Sequence, residues 1–278
     1  MKKFTLNCKG KLFVAAQPLI MGILNCTPDS FYDGGKFPSI DTLLQQTEKM
    51  LQEGADIIDI GAVSSKPNSV QVSAEVEINR IIPIVEAVHR HFPEALISID
   101  TFRSDVAEIC IQHGATIIND ISGGHADENI MRVAAKYHCP YIMMHRLGDF
   151  ETMHQQFEYT DVITSVFDYF SAKIETAKKF GINDVIIDVG FGFSKTIPQN
   201  YTLLKNLSIF EQLNKPILVG LSRKSMLYKL LNTNPENALN ATTAVNSIAL
   251  QQGASILRVH DVKEAAECVK IYNQLQAI

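Results

Sequence analysis

Eight short apolar runs in this chain each end in, or are followed directly by, side chains able to do chemistry. Asn25 follows the first. Asp59 lies in the second, with Ser64, Ser65 and Lys66 beyond it, and Asp100 closes the third. Asn119 and Asp120 lie in the fourth, His145 follows the fifth, and Asp188 ends the sixth. Ser222, Arg223 and Lys224 follow the seventh, and Arg258 and His260 close the eighth, just before a helix expected to open at Asp261. A single polar residue at a strand end ordinarily caps a helix or satisfies a loop. Eight such ends in series suit a different purpose. Carboxylates, amides, an ammonium, a guanidinium and an imidazole gathered at one rim fit a polar heterocycle together with an anion. Arg258 and His260 beside a helix N-terminus would supply donors and a favourable dipole for a phosphate-sized group. As a lone histidine, His145 reads better as a satisfied residue of the rim than as a ligand. Asp59 and Asp120 read equally well as structural carboxylates bonded to nearby backbone, and both are left outside the candidate site.

The elements that must position these residues are visible in the pattern. The runs at 20–24, 56–60, 96–99, 116–121, 141–144, 185–188, 216–221 and 255–259 are rich in Ile, Val and Leu. They do not alternate polar with apolar, so they read as strands covered on both faces, as in a parallel sheet. Helical patterns fill the gaps at 41–53, 74–91, 104–113, 128–137, within 161–180, and at 200–213, 238–252 and 264–275. Gly54, Gly114 and Gly253 stand where a left-handed helix C-terminus would lead into the next strand. Eight strand–helix units predict an α/β fold, a single (β/α)8 TIM barrel over residues 1–278, with its site at the C-terminal ends of the strands. A doubly wound open sheet is the alternative. Residues 1–19 form a leading hairpin or arm, and a turn at Lys9-Gly10-Lys11 would let it cap the barrel bottom. Asp56 and Asp184, at strand starts, belong to that opposite end.

Composition narrows the class of ligand. With 278 residues, 46% hydrophobic, the chain can bury a large core. A formal net charge of −5, without clustered Lys and Arg, argues against nucleic acid or an anionic membrane surface and for a small-molecule substrate. The five cysteines lie far apart with no CxxC pair, so neither a disulfide framework nor a zinc site is expected. No segment approaches the roughly 20 apolar residues of a membrane span, and the expected location is cytoplasmic.

The motifs themselves are recognisable. Ile20-Met-Gly-Ile-Leu-Asn-Cys-Thr-Pro-Asp-Ser-Phe-Tyr-Asp-Gly-Gly35 resembles the N-terminal signature of the dihydropteroate synthases, folate-pathway enzymes of the pterin-binding barrel family. Ser98-Ile-Asp-Thr-Phe102, Ile118-Asn-Asp-Ile-Ser-Gly-Gly124, Met144-His145, Asp188-Val-Gly-Phe-Gly-Phe-Ser-Lys195, Val219-Gly-Leu-Ser-Arg-Lys-Ser-Met226 and Arg258-Val-His-Asp-Val262 follow in that family's order. The resemblance implies a transferase that displaces the pyrophosphate of a hydroxymethyl-dihydropterin with the amine of 4-aminobenzoate. It implies Asp100, Asn119, Asp188 and Lys224 for the pterin, with Asp100 and Lys224 also catalytic. It implies Ser65, Lys66, Arg258 and His260 for pyrophosphate, and Phe31, Phe193 and Ser225 for 4-aminobenzoate. It further implies Mg2+ on Asn25, a lid at 27–35 and a homodimer formed through the late helices. Lys66 stands where the family usually has Arg, Val189 where it has Pro, and Ser194 where it has Gly. Two other readings share much of the pattern: a methyltetrahydrofolate:corrinoid methyltransferase-like barrel, and a non-catalytic paralogue.

Overall fold

A computed structural model describes residues 3–26, 39–63, 71–153 and 155–277. The chain enters through an antiparallel hairpin, β1 (Phe4–Cys8) and β2 (Lys11–Ala15). Lys9 and Gly10 form its two-residue turn, both with positive φ, the backbone geometry whose twist matches the flanking strands. Eight parallel strands follow: β3 (Leu19–Asn25), β4 (Ile57–Gly61), β5 (Leu96–Asp100), β6 (Ile117–Asp120), β7 (Tyr141–Met144), β8 (Val185–Asp188), β9 (Ile217–Val219) and β10 (Ile256–Val259). They close in chain order, β10 pairing with both β9 and β3. The closed ring settles the choice between barrel and open sheet.

Alternation along each strand divides the apolar residues into two cores. One face, including Ile58, Ile60, Ile97, Ile99, Ile118, Ile187, Val219 and Leu257, packs outward on the helices. The other, including Met21, Ile57, Leu96, Ile117, Ile142, Ile186, Leu218 and Ile256, fills the lower lumen, where Leu6, Cys8 and Ala15 of the hairpin close it from below. The hairpin is tied down by the Asn7 N–H donating to Asp184 Oδ2 at 2.8 Å. Asp56 accepts from Ile20 N–H at 2.8 Å at the same end, so both strand-start aspartates serve the fold. All five cysteines are buried thiols.

The outer helices are α1 (Ile40–Glu53), α2 (Ala74–His91), α3 (Ser104–Gln112), α4 (Asn129–Tyr137), α5 (Val162–Phe180), α6 (Ile197–Lys205), α7 (Ser225–Tyr228), α8 (Leu239–Gln251) and α9 (Val262–Gln276). The expected helix at 200–213 is corrected. An α-helix starts earlier, where Thr196 and Gln199 make a reciprocal capping box with a proline in the first turn, and it stops at Asn206. A separate 3-10 turn spans Leu207–Leu213. The short α7 opens directly after Lys224, with too few residues to show helical periodicity.

A buried lower-lumen side chain should weigh far more on stability than an exposed hairpin one. Ile186→Ala removes a side chain with no exposure and should cost about 2–5 kcal/mol. Leu12→Ala on the outer hairpin face, 65% exposed, should stay within about 0.5 kcal/mol. Urea midpoints of the two variants test the contrast.

Candidate active site

Continuing the inward alternation up the strands from the apolar layer brings Asp59 of β4, Ser98 and Asp100 of β5, Asn119 of β6, Met144 of β7, Asp188 of β8 and Arg258 of β10 into the upper lumen. The same count puts Gly220, just past β9, on the inner face. Chain neighbours aside, a Cβ built there would meet no atom of the described residues within 4 Å, so among them there is open space between the Asp188 and Arg258 strands.

Arg258 organises one side of this space. Its Nε donates to Asp59 Oδ2 and its Nη2 to Asp100 Oδ2, both at 2.7 Å. Asn119 Nδ2 donates to the same Asp59 oxygen at 3.0 Å. Asp59 is fully buried, and only paired or hydrogen-bonded charges persist in such a place. Burial works against the Arg258 charge, but the two carboxylates outweigh it and hold the guanidinium above its usual range. For Asp100, loss of hydration outweighs the attraction of Arg258, and repulsion from Asp59 adds to it, raising the carboxyl to about 7. Asp59 Oδ1 and Ser98 Oγ, at register-paired positions of neighbouring strands, have no protein partner among the described residues.

The loop after β8 builds the other side. Asp188 Oδ1 accepts the Gly190 N–H at 2.8 Å, and burial raises its carboxyl against the pull of that bond and of Lys224, Arg258 and Lys195. Lys224 reaches in from the loop after β9, its Nζ 4.3 Å from the centre of the Phe193 ring. Burial, partly opposed by Asp188, lowers it to about 8. Lys195 is buried with Nζ donating to the carbonyls of Gly190 at 3.0 Å, Phe193 at 3.1 Å and His145 at 3.3 Å. It pins the β7 and β8 loops together. An apolar wall of Ile121, Met144, Met153 and Phe193, joined by Phe102 and Phe150, stands beside the polar groups.

At the rim, His260 Nδ1 lies 2.9 Å from Ser222 Oγ. Although the residue reaches solvent, the surrounding protein and then the charge of Arg258 lower it to about 4, so the imidazole is neutral at pH 7. Arg223 is committed to Asp261 in a two-pronged pair, 3.0 and 2.7 Å. Ser225 opens α7, and Asn25, half-buried at the end of β3, pairs in register with Gly61.

The candidate residues therefore fall into groups. Asp100, Asn119 and Arg258 share one hydrogen-bonded network, with Asp188, Lys224 and Phe193 facing them across the lumen, while His260, Ser225 and Asn25 sit higher. Ser65, Lys66, Phe31 and the 27–35 segment lie outside the described residues. His145 is buried in an aromatic cluster, its ring 4.8 Å from Tyr169, edge to face. Asp120 points away from the lumen, accepting from Tyr141 Oη at 2.6 Å and from the Ser122 and Gly124 N–H groups at 2.7 Å. Asp59, expected outside the site, belongs with the network. Its position two residues beyond Ile57 on the lumen face was the available signal. Lys195 had no such signal, because its partners are backbone carbonyls.

A family described as pterin binding enzyme matches residues 21–260. A dihydropteroate synthase from Synechocystis sp. is 42% identical over 259 residues, covering 92% of this chain and 89% of the relative. Among solved structures, Yersinia pestis dihydropteroate synthase in a sulfonamide complex superposes with a TM-score of 0.93 at 38% identity, covering 99% of this chain and 100% of the other. The Xanthomonas albilineans dihydropteroate synthase with 4-aminobenzoic acid superposes at 0.92 with 32% identity, and both chains are fully covered. Matched along nearly its whole length by proteins of one kind, the chain belongs to the pterin-binding enzyme family, among the dihydropteroate synthases.

Proposed function

We propose that the chain condenses 6-hydroxymethyl-7,8-dihydropterin pyrophosphate with 4-aminobenzoate to give 7,8-dihydropteroate and pyrophosphate. The observation that carries this reading is the ring of donors and acceptors facing the open space at Gly220, with an apolar wall beside it. A flat bicyclic ring with an aminopyrimidine edge requires that combination. Relatives bearing the synthase name support this reading and give the corrinoid methyltransferase alternative no support.

In this scheme Asp188 accepts N–H bonds from the aminopyrimidine edge. Asn119, whose amide is oriented by its bond to Asp59, reads the adjacent atoms. Lys224 donates to the pterin carbonyl and ring nitrogen. As the C–O bond to pyrophosphate breaks, positive charge grows on the exocyclic methylene and the ring, and the Asp100 carboxylate stabilises it in a water-poor mouth. The aromatic amine is already nucleophilic, so positioning suffices for attack, and its proton leaves to solvent. Phe193 packs on the aminobenzoate ring, and its carboxylate meets Ser225 and the N–H groups opening α7. Arg258 and His260 receive pyrophosphate, and the family resemblance assigns Ser65 and Lys66 to the same group and Phe31 to 4-aminobenzoate, all three outside the described residues.

The described residues contain no cluster of three His, Cys, Asp or Glu able to hold a metal by themselves. Mg2+ nevertheless fits the donor set here. It retains waters, takes phosphate oxygens, and asks the protein for one or two hard oxygen ligands. Asn25 offers an amide oxygen on the inner face beside Gly61, while Arg258 occupies the nearby carboxylates. When bound, Mg2+ would neutralise leaving-group charge. We further infer a homodimer, supported by exposed Ile248 on α8 and Ile271 and Leu275 on α9. A cytoplasmic location is consistent with the lack, among the described residues, of a helix long and apolar enough to cross a membrane.

Pyrophosphate release from the pterin substrate should depend on both Mg2+ and 4-aminobenzoate, and release independent of the amine would refute the reading. Asp188→Ala should keep its circular dichroism spectrum and lose about 100-fold or more in calorimetric affinity for the pterin pyrophosphate, the worth of two bonds to a charged acceptor. The free-enzyme pH profile follows from two groups. Asp100 must be ionised, which happens above about 7, and Lys224 protonated, which holds below about 8. Thus kcat/KM for the pterin should peak between those values. Asp100→Asn should erase the acid limb, and an unchanged limb would assign it to another group.

A further inference from the structure

Ser194, directly after Phe193, has φ of +51°, in the left-handed region that side-chain-bearing residues seldom adopt. It is 1% exposed, and its bonds reach one neighbouring loop. Its Oγ accepts the Leu147 N–H at 3.0 Å and lies 3.2 Å from the Tyr159 hydroxyl. Its own N–H donates to the Met153 carbonyl at 2.8 Å, and its carbonyl accepts from Phe157 N–H at 3.4 Å. The loop concerned, residues 145–159 with 154 outside the described set, is fastened on its far side by Arg146, whose Nε donates to the Ile121 carbonyl at 3.0 Å. From this loop Phe150 and Met153 join Phe193 in the apolar wall. Ser194 is thus a hub between the β7 and β8 loops, one residue from the ring under Lys224.

We propose that the Ser194 hydroxyl is a positioning device for the arylamine subsite, clasping the 145–159 loop to the β8 loop so that the Phe193 ring is held where 4-aminobenzoate packs. This rests on the synthase reading above. A side chain that only filled space would need no acceptor, and alanine would serve. The two bonds made by Oγ tie the 145–159 loop, which carries Phe150 and Met153 of the apolar wall, to the residue after Phe193, so losing them loosens the wall beside the ring without touching Asp188, Asn119 or Asp100.

Ser194→Ala keeps the Cβ and removes both side-chain bonds, and Ser194→Gly does the same while relieving the backbone. In both, KM for 4-aminobenzoate should rise about tenfold, equivalent to about 1.4 kcal/mol. The value of kcat and the KM for the pterin pyrophosphate should stay within about twofold. Hydrogen exchange at the Leu147 amide should speed up about tenfold, and Tyr159→Phe should shift the aminobenzoate KM in the same direction by less. An unchanged aminobenzoate KM in the glycine variant would overturn the proposal, even with faster Leu147 exchange. So would equal losses for both substrates alongside a lowered melting temperature, which would mark Ser194 as merely structural. Failure of the unsubstituted chain to release pyrophosphate would instead sink the synthase reading, and with it this proposal.

Discussion

The buried guanidinium of Arg258, held between Asp59 and Asp100, is the contact on which the rest of the mouth depends. Each of these ions loses hydration worth several kcal/mol on burial, and only mutual attraction with good geometry offsets that cost. Removing Arg258 would leave two buried carboxylates without their shared cation, so both depend on the one guanidinium. It also explains why Asn119 can present a fixed edge, since its amide is tied to the Asp59 oxygen that receives Arg258 Nε. Across the lumen, Asp188 stands with Lys224 and Lys195. Counting both sides, three carboxylates (Asp59, Asp100, Asp188) face three cations (Arg258, Lys195, Lys224), a formal balance of zero. Within that balance the shifts toward neutrality at Asp100 and Lys224 follow from desolvation. A ligand that bonds to the charged forms would restore their charge as it binds.

The barrel makes this arrangement possible by geometry. Alternate residues of every strand face the lumen, and neighbouring strands lie roughly 5 Å apart, so residues distant in sequence meet at bonding distance. Asp59 and Arg258 are 199 positions apart, yet their strands are separated only by β3. The apolar layer below, sealed by the hairpin, keeps water from entering from beneath and preserves the low-dielectric surroundings that make the polar layer above it selective. Groups on strands are fixed by the ladder, whereas Lys224, Phe193 and Ser194 sit on loops and need bonds of their own.

That difference decides what the sequence revealed. Strand positions were readable because burial on both faces produces uninterrupted Ile and Val runs, and the residues at their ends then fall into place. Asp100, Asn119 and Asp188 were found this way, and their motifs carried the family resemblance. Asp59 was passed over because a carboxylate inside a strand looks structural until its lumen-facing register is known. The contacts of Arg258 were equally hidden. A cation before a helix N-terminus suggests an anion site, and only the closed ring shows that two carboxylates already hold it. The α6 boundary was misplaced because the apolar pattern through 207–213 continues past a helix that Asn206 ends, while the Thr196–Gln199 capping box was the better local signal.

Ser194 shows why loop residues resist such reading. Its left-handed backbone costs about 1–2 kcal/mol relative to glycine, and the two bonds made by its hydroxyl return about 0.5–1.5 kcal/mol each. The sum is close to zero, so fold stability alone gives little reason to prefer serine over glycine there. What the serine adds is directional. It connects Leu147 and Tyr159 to the residue following Phe193, converting a permissive turn into a fixed one. A substitution nearly neutral for folding can thus act on the position of a single ring, and under the proposed packing of 4-aminobenzoate on Phe193 that position governs affinity for the second substrate more than chemistry on the first.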